Sequence, residues 1–94
     1  ETPRFNTQPN QLLAEAIEGL KPGAALDAGM GQGRNAIHMA RKGWKVTGFD
    51  VSRVGLRKAA EQAAAAGVTI ETVRAADDEF DFGRERWDLI AIIH

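Results

Sequence analysis

In the run Asp27-Ala28-Gly29-Met30-Gly31-Gln32-Gly33, every second position from 29 to 33 is glycine. Alternate glycines confine the chain to a tight turn, because glycine visits left-handed backbone freely and lets another group approach the main chain. The flanks say which turn it is. Residues 24–28, Ala-Ala-Leu-Asp-Ala, form a short apolar run between glycines and read as a buried strand rather than a helix. Residues 32–42 read as a helix with Ile37 and Ala40 inward and Gly43 as its stop. A strand that enters a helix through glycines presents backbone N–H and C=O groups to whatever lies above the turn.

The rest of the chain repeats this alternation. Residues 10–20 place Leu12, Leu13, Ala16, Ile17 and Leu20 on one helical stripe after Pro9, and Lys21-Pro22-Gly23 ends it. Residues 44–49 alternate and are β-rich, giving a second strand that ends at Asp50. Ser52 is a natural N-cap for the Ala-rich helix to position 66, which Gly67 closes. Residues 68–73 make a third strand, an acidic stretch spans 77–81, and residues 87–93 make an apolar fourth strand. Strands separated by such helices need right-handed crossovers, so the sheet is expected to be parallel, covered on both faces, with strand order 3-2-1-4. That order creates a switch point beside strand 1, where ligands sit at the carboxyl ends of strands.

Composition narrows the function. Twelve basic against 13 acidic side chains give a net charge of −1, which provides no long-range field for nucleic acid or an anionic membrane. The chain has no cysteine and only two histidines, His38 and His94, so thiolate chemistry and a metal site are not expected. The longest apolar run, residues 89–93, is far too short to span a bilayer. With no charged and apolar leader among the first residues, a signal peptide is expected to be absent or already removed, and the cysteine-free composition fits a reducing cytoplasm.

Three features fall at three successive strand ends. They are the glycine turn, Asp50 and the acidic pair Asp77-Asp78. Asp50, 17 residues past Gly33, is placed to accept hydrogen bonds from a ribose diol. Asp77 or Asp78 is placed to accept from the exocyclic amine of adenine. Together they describe a pocket for an adenosine substituted at its 5′ carbon.

The segments LDAGMGQGRNA, VTGFDVS, RAADDEFDF and WDLIAIIH resemble the Rossmann-like S-adenosylmethionine-dependent methyltransferases, with small bacterial enzymes the most similar. The resemblance implies an α/β three-layer Rossmann-like parallel sheet and one S-adenosylmethionine-binding domain over residues 1–94, incomplete at its carboxyl end relative to a seven-stranded sheet. It further implies that Asp27, Gly29 and Gly31 underlie the methionine part of the cofactor, with the Gly29 carbonyl and Asp27 toward its ammonium group. Gly33 completes that turn. By the same resemblance Asp50 is expected to bind the ribose, Val51 to pack on adenine, Asp77 to take the adenine amine and the Asp78 N–H to reach a ring nitrogen, the doubled aspartate leaving that pair open by one residue. Residues 92–94 are expected to line the transfer pocket, with His94 as the base where the acceptor must lose a proton, and Arg4 and Phe5 are expected to fold over the cofactor. The expected acceptor is a small molecule whose identity and methylated atom stay open.

Two alternatives stand beside this. Gly31-Gln32-Gly33-Arg34-Asn35-Ala36 satisfies the Gly-x-Gly-x-x-Ala pattern of an NAD(P) or FAD oxidoreductase, with Asp50 as the ribose acid. That places Asp27 beneath a pyrophosphate it repels and leaves the acids after strand 3 without a role. The other is a non-catalytic cofactor-binding fragment, whose apolar strand 4 edge pairs or swaps with a second copy.

Overall fold

The computed structural model describes residues 11–31, 33–84 and 86–92, so the expectations placed on Arg4, Phe5, Gln32, Ile93 and His94 lie outside the described residues. The elements are α1 (Gln11–Ile17), β1 (Ala24–Ala28), α2 (Arg34–Arg41), β2 (Lys45–Asp50), α3 (Arg53–Ala65), β3 (Ile70–Arg74) and β4 (Leu89–Ile92). All pairings are parallel and the sheet order is β3-β2-β1-β4, as the alternation of elements predicts.

Where element ends differ from the sequence reading, local bonding gives the reason. Gly33 adopts φ 85, outside right-handed helix, so α2 starts at Arg34. The Val68 N–H donates to the Ala63 carbonyl, which closes α3 and delays β3 to Ile70. Trp87 belongs to the loop before β4, where its indole N–H donates to the Phe82 carbonyl at 2.8 Å. The broad stripe expected on α1 is also narrower. Leu13 and Ile17 are buried, whereas Ala16 is exposed and Leu12 and Leu20 are 76% and 49% exposed, because this one short helix meets the core along a single i, i+4 row.

Both sheet faces are covered, as expected, but only one of them by helices. Residues directly opposite in neighbouring strands share a face. Ala25, Val46 and Ala91 share one, and Leu13, Ile17, Ala36, Met39, Leu56 and Ala59 from all three helices pack there. On the other face lie Leu26, Ala28 and Phe49, covered not by a helix but by the β3–β4 connection through Phe80, Phe82 and Trp87. Phe80 stacks on Phe49 with centroids 4.4 Å apart, and Phe82 meets both rings edge-on. That connection has no helical period, so aromatic rings do what a crossover helix otherwise does. Ile90 and Ile92 lie opposite Leu26 and Ala28 and stay 44% and 61% exposed. Among the described residues, β4 is an open edge.

Candidate cofactor-binding site

The glycine turn leaves the tip of β1 with its backbone engaged on both sides. The Met30 N–H donates to the Phe49 carbonyl at 2.9 Å, and the Gly33 N–H to the Met30 carbonyl at 2.9 Å. Gly29 and Gly31 sit at φ 68 and 55, and a Cβ on either would meet nothing within 4 Å. They are glycine for backbone conformation, and the space above them is open. Gly33 differs. It is buried, and its missing Cβ would lie 2.8 Å from the Ala59 methyl, so it lets α3 approach α2 rather than lining the open space.

Asp27, next to the end of β1, is 2% exposed, and its Oδ2 has no hydrogen-bond partner among the described residues. Burial is the main cause that pushes its carboxyl up from 3.8 to about 7, against the Ala36 N–H and Arg34, which favour the charge, and with Asp50, which opposes it. A buried carboxyl with an unused oxygen costs stability unless something pairs with it.

Asp50 closes β2 at the other side of the turn. Its Oδ2 accepts the Gly31 N–H at 2.9 Å and its Oδ1 the Ser52 N–H at 2.9 Å. A carboxylate oxygen accepts more than one donor, so both retain capacity toward a diol. Ser52 in turn caps α3, its Oγ accepting the Gly55 N–H at 3.0 Å. One acid thus ties the glycine turn to the start of α3.

Beside Asp50 a cavity of about 270 Å³ is lined by Val51, Arg74, Ala75 and Glu79. The Arg74 Nε donates to the Val51 carbonyl at 3.1 Å, and the Ala75 N–H to the Asp50 carbonyl at 3.1 Å. Val51 is 59% exposed there. Asp77 and Asp78 stand exposed in the turn after β3, and neither lines this cavity. Glu79 does, its Oε1 accepting the Ala76 N–H at 2.9 Å. Sequence reasoning missed Arg74 and Glu79. The acidic stretch contains Glu79, but spacing alone does not say which acid of a turn faces inward. His38 is half-buried on α2, where burial and then Lys42 push its pKa below the ordinary value against Glu18. No His, Asp and Glu cluster suited to a metal exists among the described residues, and no described helix is long and apolar enough to cross a membrane.

A parallel sheet with this strand order, a glycine turn at β1 and an acid at the tip of β2 define a Rossmann-like nucleoside-binding fold. Residues 25–94 match the family described as a methyltransferase domain. The chain belongs to that family, within the Rossmann-like class of S-adenosylmethionine-dependent methyltransferases. It is 40% identical over 60 residues to a ribosomal RNA small subunit methyltransferase C from Alcanivorax borkumensis, a stretch covering 61% of this chain and 18% of that protein. A structure described as the conversion of a disulfide bond into a thioacetal group during echinomycin biosynthesis superposes with a TM-score of 0.77 and 35% identity, covering 88% of this chain and 35% of the other. The tRNA (uracil-54, C5)-methyltransferase of Pyrococcus abyssi, solved with S-adenosyl-L-homocysteine, gives a TM-score of 0.74 at 25% identity over 84% of this chain and 20% of its own. The chain therefore spans about a third or less of these relatives' lengths. The family match favours the methyl-donor reading over the dinucleotide one.

Proposed function

We propose that residues 1–94 form a domain that binds S-adenosylmethionine and presents its methyl group to a small-molecule acceptor. The observation that carries this is Asp27, a 2% exposed carboxyl with an unused oxygen below an open glycine turn. An ammonium group above the turn gives that carboxylate its missing partner, while a pyrophosphate would repel it. When bound, the cofactor would supply an electrophilic methyl group on a sulfonium.

The chain's own residues bind and orient. Asp27 and the Gly29 carbonyl hold the ammonium end, Gly31 lets the ligand approach the main chain, and Asp50 accepts from the ribose hydroxyls. Val51 supplies an apolar surface for adenine at the mouth of the 270 Å³ cavity, with Glu79 beside it. Asp77 or Asp78, exposed in the turn after β3 that also carries Glu79, takes the adenine amine as the family resemblance implies. Such a site needs few catalytic groups, because holding an activated methyl close to a nucleophile supplies much of the acceleration. A small-molecule acceptor fits the net charge of −1, although two of the relatives named above methylate RNA.

Calorimetric titration with S-adenosylhomocysteine and NADH tests the reading, on the wild type and on Asp27→Asn and Asp50→Ala. Selective binding of the thioether nucleoside, weakened in both variants, supports it. Selective NADH binding overturns it. Binding without methyl transfer to any acceptor supports a cofactor-binding module instead.

A further inference from the structure

We infer that Met30 is a positioning residue of this site, a wedge driven into a socket that exists because β2 carries glycine at position 48. Met30 lies between the two open glycines, yet its side chain turns away from the site and is 6% exposed. A Cβ built on Gly48 would collide with the Met30 Sδ and stand 2.9 Å from its Cε and 3.1 Å from its Cβ. The same Cε lies 3.4 Å from where a Cβ on Gly33 would be. The thioether therefore fills the space two missing side chains leave, between β2 and the start of α2.

The consequence falls on Gly31, the next residue. The Met30 N–H donates to the Phe49 carbonyl and its carbonyl accepts from Gly33, so with the side chain seated the residue is held at its N–H, its carbonyl and its thioether. Gly31 then presents its N–H to Asp50 Oδ2. On the other side of the residue, the Gly31 carbonyl lies 3.3 Å from where a Cβ on Gly55 would stand, so the first turn of α3 packs closely against Gly31 as well. An unbranched thioether suits a slot this narrow, and a β-branched or aromatic side chain does not. The wedge acts on the ligand through the backbone and touches no reacting atom.

This rests on the cofactor reading, and the test separates the two. Met30→Ala, Gly48→Ala, Met30→Leu and the double variant Met30→Ala/Gly48→Ala are compared by circular dichroism, by S-adenosylhomocysteine titration and by the chemical shift and hydrogen exchange of the Gly31 amide. Gly48→Ala is expected to weaken binding about tenfold or more and to speed Gly31 exchange, because an added methyl in a filled slot forces the turn to move. Met30→Ala loosens the same amide by leaving a void. The double variant, in which one methyl occupies the vacated slot, regains binding to within about threefold of wild type, and Met30→Leu stays near it. Unchanged binding and an unchanged Gly31 amide in folded Gly48→Ala overturn the proposal, as does a folded double variant that recovers neither. A wild type that binds no S-adenosylhomocysteine overturns the cofactor reading alone, while the Gly31 amide still decides the wedge.

Discussion

Replacing Asp27 by Asn isolates the stability cost of the buried acid. The carboxyl holds its proton to about 7 in the folded chain and to 3.8 when free of that environment. A raised folded value means that protonation favours folding, so this contribution is fully present below pH 4 and is lost as pH rises toward 7. The difference of about 3 units corresponds to about 4 kcal/mol, of which some 2–3 kcal/mol falls between pH 5 and pH 8. Asn matches the volume and does not titrate, and its unpaired amide hydrogens cost about 1–3 kcal/mol at every pH. The stability of Asp27→Asn minus that of wild type should therefore rise by about 2–3 kcal/mol from pH 5 to pH 8. Urea unfolding by far-ultraviolet circular dichroism on both chains measures it, and the subtraction cancels the other titrating groups. A difference flat within about 0.5 kcal/mol across that range refutes the argument, since a solvated or fully paired carboxyl gives no slope. A variant that gains stability above neutral pH and loses S-adenosylhomocysteine binding has an acid kept for its ligand.

Gly29→Ala forces a side chain to φ 68 in open space, so equilibrium unfolding should show a loss of about 1–2 kcal/mol. Its larger effect should appear in S-adenosylhomocysteine affinity by calorimetry, because the new methyl projects into the open space proposed for the ligand. Ser52→Ala removes the cap on the Gly55 N–H and should lower stability by about 1 kcal/mol in urea titrations. Phe80→Ala empties the stack on Phe49 and should cost about 2–3 kcal/mol, with a change in near-ultraviolet circular dichroism from the nearby Trp87 ring.

Local chemistry alone specified much of this molecule. An apolar run that meets alternate glycines and then a helical period forces a strand, a tight turn and a helix, and the strand–helix alternation that continues through β2, α3 and β3 leaves little choice but a parallel sheet. The same logic located Asp27 and Asp50, because residues at the ends of β1 and β2 are placed by counting along a strand. Four decisions needed the folded chain. Counting could not reveal that Asp27 Oδ2 lacks a partner, since burial depends on how α2 closes over the strand tip. It could not separate Gly33, pressed against Ala59, from the open Gly29 and Gly31. The choice of Glu79 over Asp77 and Asp78 at the cavity turns on the curl of one loop. Phe80 and Phe82 sit in and just beyond the acidic stretch 77–81, which carries no strand or helical period, yet their rings cover a sheet face no described helix reaches. Periodicity records what each residue does for its own strand or helix, whereas these outcomes depend on neighbours distant in sequence, which packing alone brings together.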